Sequence, residues 1–166
     1  MDIDQLTGQI RRRVAQMGFD LVDLKKRGSL NQARLQIRID RPEGPLGGVT
    51  IDDCASVSRG LEAWLDDTEL LGPRYVLEVS SPGIERPIRW AEHWRRFVGE
   101  DVKVRLAGIG RVRATILGVE SDRVSLKLEN GEVVEPSIEE ACDATLFVDW
   151  DKLDRSVAVS RPKIKE

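Results

Sequence analysis

Leu6, Ile10, Val14 and Met17 recur at spacings of four, four and three, with Arg11, Arg12 and Arg13 between them. That spacing predicts an amphipathic helix, and Gly18 just beyond it supplies a stop. Phe19 to Lys26 reads as a strand. After the turn material Arg27, Gly28, Ser29, Leu30 and Asn31, residues 34 to 40 alternate, with Leu35, Ile37 and Ile39 on one face and Arg34, Gln36 and Arg38 on the other. The two strands form a hairpin with a wet, basic outer side. A loop rich in Pro and Gly (Pro42, Gly44, Pro45, Gly47, Gly48) leads to Thr50, which is placed to cap a helix by accepting from the backbone near Asp53. Cys54, Val57, Leu61, Trp64 and Leu65 form the apolar stripe of that helix, expected to run to about Leu65. Gly72 and Pro73 break it, and Tyr75 to Val79 is a third strand.

After Pro87 the texture changes. Trp90 to Phe97 makes a short helical turn, and then short alternating sets follow: Val102, Val104, Leu106; Val112, Ala114, Ile116; Val124, Leu126, Leu128; Leu146, Val148. Turn signals at Gly108 to Gly110, Gly118 to Asp122 and Asn130-Gly131 separate them. Short strands joined by tight turns argue for a small barrel, in which closure removes sheet edges. The fold class is therefore α+β, with an α-β-β-α-β domain over 1–89, a small all-β domain over 90–151 and a charged tail over 152–166, expected to be poorly ordered.

Composition narrows what these domains can do. Lys+Arg 26 against Asp+Glu 29 leaves a formal charge of −3, so the long-range field does not attract a polyanion and any nucleic-acid contact has to be local. Asp2 and Asp4 stand where a signal peptide needs basic residues, and no long apolar run occurs; a cytoplasmic protein with no membrane partner is expected. Cys54 and Cys142 have neither disulfide nor zinc spacing, so no metal site is expected. Neither half shows a spare apolar stripe, which implies a monomer.

The segment Leu77-Glu78-Val79-Ser80-Ser81-Pro82-Gly83-Ile84-Glu85-Arg86-Pro87-Ile88 closely resembles the signature of the RimP family. Met17 to Val22, Val49 to Cys54 and Ala91 to Gly99 resemble further family motifs in the family's order, so that the likeness spans roughly residues 5 to 150. The tail after Asp151 extends beyond the typical family core. The resemblance implies a KH-like N-terminal domain and a C-terminal SH3-like, or Sm-like, β-barrel. It also implies a ribosome maturation factor that acts on the immature small (30S) subunit, binding small-subunit rRNA and a basic ribosomal protein near the decoding region.

The residues offer candidate contacts for such a role. Ser80, Ser81, Pro82 and Gly83 make a rigid exposed turn able to present hydroxyls and backbone N–H groups to phosphate oxygens, and Arg86 would add a bidentate contact. The competing reading pairs Arg86 with Glu78 or Glu85 inside an interdomain turn. Arg34 and Arg38, with Arg11 to Arg13, are candidate phosphate anchors, although a solvated polar face looks the same and Asp40 and Asp52 dilute any patch. Glu132, Glu135, Glu139, Glu140 and Asp143 cluster after Gly131 and suit a basic ribosomal-protein extension. Lys103, Arg105, Arg111, Arg113 and Lys127 fall opposite the apolar sets, where a surface for RNA or protein and a plain solvated exterior are equally served. Trp90, Trp94 and Trp150 are expected to pack the domain junction rather than stack on bases.

No Walker loop, dinucleotide fingerprint, metal-ligand cluster or nucleophile elbow occurs, and His93 stands alone as a base, so neither an enzyme nor a cofactor is expected. The alternative function is a general RNA-binding or RNA-chaperone module. It lacks a Gly-x-x-Gly clamp unless Ser80 to Gly83 takes its place.

Overall fold

The computed structural model describes residues 2–29, 31–43, 48–83 and 85–147. Two compact units divide at Pro87/Ile88. The predicted Val148, Trp150 and charged tail lie outside the described residues.

In the first unit the order is α1 (Ile3–Gln16), β1 (Asp20–Arg27), β2 (Ala33–Asp40), α2 (Ile51–Thr68) and β3 (Tyr75–Ser80). The strands form one sheet in the order β1-β2-β3, with β1 antiparallel and β3 parallel to β2. A hairpin suffices for the first pairing, whereas a parallel pairing needs a long crossover, which α2 supplies. The apolar stripes predicted for the helices are the ones buried: Leu6, Ile10 and Val14 on α1, and Val57, Leu61 and Leu65 on α2. They cover the sheet face that carries Leu24, Leu35, Ile37 and Ile39, each removing apolar surface from water at roughly 1.5–3 kcal/mol when fully buried. The helices approach each other at Gly60, where an added Cβ would come within 3.0 Å of the Met17 sulfur.

Local signals account for the boundaries. Gly18 takes a positive φ of 90° immediately after α1, as a stop glycine should. Thr50 and Asp53 form a reciprocal capping box: Thr50 Oγ1 accepts from Asp53 N at 3.1 Å, and Asp53 Oδ2 accepts from Thr50 N at 2.9 Å. At its other end α2 passes the predicted Leu65 and reaches Thr68, because Glu69 rather than a glycine adopts the left-handed conformation and donates back to Leu65 O. Gly28 in the β1–β2 turn has φ 82°, and a Cβ there would strike the Gln32 carbonyl.

The second unit contains α3 (Ala91–Arg96), β4 (Asp101–Leu106), β5 (Gly110–Glu120), β6 (Arg123–Leu128), β7 (Val133–Val134) and β8 (Cys142–Leu146). Its pairings give a five-stranded sheet in the order β7-β6-β5-β4-β8, so the strand pairing among the described residues is open, with β7 and β8 at the ends. Val102, Val104, Ala114, Ile116, Val124, Leu126 and Leu128 project to one side and pack with Trp94, Phe97 and Leu146 into this unit's own core. Trp94 is thus a core residue of the second unit. Trp90 is half-buried, edge-on to His93 with ring centroids 5.3 Å apart. Gly118, read from the sequence as turn, lies inside β5 at a register shift, and the chain reverses later, around Ser121. The short strand β7 has too few residues to announce itself by alternation. The Asn130-Gly131 turn that leads into it is as expected, with Gly131 at φ 87°.

Candidate functional site

Strand register decides which polar side chains share a surface. Across the first sheet, Asp23 lies beside Arg38 and Arg38 beside Ser80; Lys25 lies beside Gln36 and Gln36 beside Glu78; Arg27 lies beside Arg34 and Arg34 beside Val76. Partners in register point the same way, so these nine residues form the sheet face turned away from the helices. The candidates Arg34, Arg38 and Ser80 are therefore brought onto one surface. Ser81 and Gly83 are exposed just beyond it, Gly83 with φ 77°.

Lys25 and Arg27 belong to the same face and were not singled out from the sequence. The Lys25-Lys26-Arg27 run was visible, but only the register reveals that Arg27 stands directly opposite Arg34. Directly opposed like charges weaken a sheet. Arg34 is partly compensated by Glu78 at 3.6 Å, an exposed pair, and Glu78 also accepts from Gln36 at 3.0 Å. Arg38 has no carboxylate partner among the described residues.

Arg86 requires a correction. It is only 1% exposed, and its guanidinium is held by Asp40, itself fully buried, with Asp20 at 3.9 Å on the other side. Asp20 and Asp40 face each other across the β1–β2 ladder, so the cation plugs a paired-carboxylate position. Asp40 is satisfied at both oxygens, since Oδ1 accepts from Arg41 N at 2.8 Å while Oδ2 takes Arg86. The carboxylates at its guanidinium are Asp40 and Asp20, and the fork is turned inward, away from any phosphate. Asp40 likewise does not dilute the surface patch, because it leaves the strand's alternation and is buried together with Ile39. Arg13 of the α1 cluster is engaged too, stacking over Trp64 at 4.3 Å.

A cleft of about 680 Å³ lies at the start of β3, lined by residues that include Glu62, Asp66, Arg74 and Tyr75. The Tyr75 hydroxyl donates to Asp66 at 2.6 Å. Burial, and then the Asp66 carboxylate, push its pKa well above the usual tyrosine range. Tyr75 is accordingly a fixed donor that ties β3 to α2 and is unsuited to act as a base at neutral pH.

In the second unit the acidic candidates Glu132, Glu135, Glu139, Glu140 and Asp143 are all exposed. Some have local duties. Asp143 pairs with Arg105 at 2.6 Å, the Glu140 carboxylate accepts from Ser137 N at 2.9 Å, and Glu135 accepts from Ser125 at 3.4 Å. Among the described residues no group of three or more His, Cys, Asp or Glu is arranged to hold a metal, and no helix is long and apolar enough to cross a membrane.

The described residues thus make a mixed α+β protein with a charged, helix-free sheet face in its first unit. The family model of the RimP N-terminal domain matches residues 9–85, a match that supports membership of the RimP family, a family of ribosome maturation factors.

Proposed function

We propose that the protein promotes maturation of the small ribosomal subunit by binding its rRNA through the helix-free sheet face of the first unit and a basic ribosomal protein through the second. The observation that carries this reading is the co-facial placement of Arg34, Arg38 and Ser80, with Lys25 and Arg27 beside them. Phosphate contacts need long cations on an accessible surface, and a local patch of this kind overcomes an unfavourable net charge because screening limits the rest of the molecule to about 8–10 Å. Ser81 and Gly83 extend the face with a hydroxyl and an accessible backbone. The exposed Glu132, Glu135, Glu139 and Glu140 give the second unit its acidic side for a basic partner.

Two helices over one face of a sheet with a parallel crossover favour a KH-like first unit. Five short antiparallel strands over a single core favour an SH3-like, or Sm-like, second unit.

The test is co-sedimentation of the full chain with precursor small subunits across a salt series. Wild type is expected to travel with the particles at low salt, and Arg34→Gln/Arg38→Gln to lose roughly tenfold in affinity with a salt slope shallower by about two. Its unfolding midpoint should stay within a degree or two of wild type, since both residues sit on a solvated face. Unchanged affinity in the double variant would remove this face from the function. Equal binding to any RNA, with no preference for precursor particles, would favour the general RNA-chaperone reading.

A further inference from the structure

The β4–β5 ladder of the second unit sets cations against cations. Lys103 stands opposite Arg113, and two residues further along Arg105 stands opposite Arg111. Val102, Val104 and Ala114 of the same strands point into the core, so all four cations lie on the outer face. One like-charge pair in register is a cost to the sheet, and two in succession form an arrangement that stability alone disfavours.

Counter-ions make the arrangement tolerable in the free protein. Asp101 Oδ2 accepts from Arg113 Nε and Nη2 at 3.1 and 2.7 Å, while its Oδ1 accepts from the Thr115 hydroxyl at 2.7 Å. Arg113 also lies over the Phe147 ring at 3.9 Å, and Lys103 over the same ring at 5.3 Å. These two cations are thereby held in fixed positions. Among the described residues Arg105 is matched by Asp143 alone, with the side chains 61% and 60% exposed, so that solvent screens the pair and it is easily exchanged. Arg111 is exposed and has no carboxylate partner among the described residues.

We infer that this ladder is a second anion-binding surface, one that takes the phosphate backbone of structured RNA. Arg105 and Arg111 make the contacts, and Lys103 and Arg113 supply a preorganised positive field behind them. Cross-strand partners are about 5 Å apart and successive pairs roughly 6.6 Å apart, giving a two-by-two grid of charge. A continuous run of phosphates fills such a grid, and each guanidinium can grip one phosphate through two N–H groups. Scattered carboxylates on a peptide would leave members of the grid unmatched. The choice of RNA as the polyanion rests on the ribosome-linked reading above, but the surface is distinct from that of the first unit and is tested by different variants.

The experiment measures binding of the full chain to a short RNA duplex by fluorescence anisotropy over a salt series, with a poly-glutamate peptide as the competing ligand. Arg105→Gln/Arg111→Gln is expected to weaken RNA binding roughly tenfold at low salt and to flatten the salt slope by about two. Its thermal midpoint should hold or rise, because like-charge opposition is relieved. Arg111→Gln alone, which removes no ion pair, should show about half the slope change. Affinity and slope unchanged in both variants would overturn the proposal. So would tighter binding of poly-glutamate than of RNA, or a midpoint that falls in both variants. Loss in this pair of variants with none in Arg34→Gln/Arg38→Gln would sink the reading of the first unit and leave this one standing; the opposite pattern would do the reverse.

Discussion

Arg86 shows how far a residue's role depends on what the chain brings to it. In the sequence it is a cation beside a Ser-Pro-Gly turn, and a phosphate contact is a reasonable expectation. The β1–β2 register sets Asp20 against Asp40, and burial then makes a counter-cation obligatory, since an unpaired buried carboxylate costs several kcal/mol. No spacing rule reads this, because the partner lies 46 residues away. Arg86→Met is expected to lower unfolding free energy by roughly 3–5 kcal/mol in urea titrations. Adding Asp40→Leu should recover much of the loss by removing the stranded carboxylate. A near-neutral Arg86→Met would contradict the plugging role.

At the scale of elements, the signals that depend on neighbours in sequence were readable. Apolar spacing located α1 and α2, alternation located β2 and β4 to β6, and Thr50 with Asp53 announced a capping box that the structure contains. Thr50→Ala should lower stability by about 1 kcal/mol, read as a shift in the denaturant midpoint. The same cap gives α2 an acid sensitivity. Asp53 is held below the usual carboxylate range, chiefly by the Thr50 backbone N–H it accepts and further by the Thr50 hydroxyl and Arg41. A carboxyl whose folded pKa is depressed stabilises the protein fully above its unfolded value of about 3.9, and loses that contribution as pH falls through the lower folded value. Asp53→Asn is expected to flatten the fall in melting temperature below about pH 4, and an unaltered acid limb would argue against the cap. What alternation could not disclose was register. Whether Arg27 meets Arg34, or Arg105 meets Arg111, depends on turn length and bulges, and both candidate surfaces are defined by those meetings.

For the whole molecule, the formal charge of −3 is a poor guide to local binding, since strand register gathers Lys25, Arg27, Arg34 and Arg38 on one sheet face and Lys103, Arg105, Arg111 and Arg113 on another. The change of texture after Pro87 was visible in the pattern, and each unit has its own buried apolar set. A fragment comprising residues 1–87 is therefore expected to unfold cooperatively when expressed alone, which circular dichroism in urea can check.

Where such a fragment is cut matters more than its length suggests. The homology match stops at residue 85, one position short of the guanidinium that neutralises Asp40. A domain trimmed to that boundary would expose the vacated acid pair to water and proteolysis, and its failure to behave would be mistaken for a need for the other half of the chain.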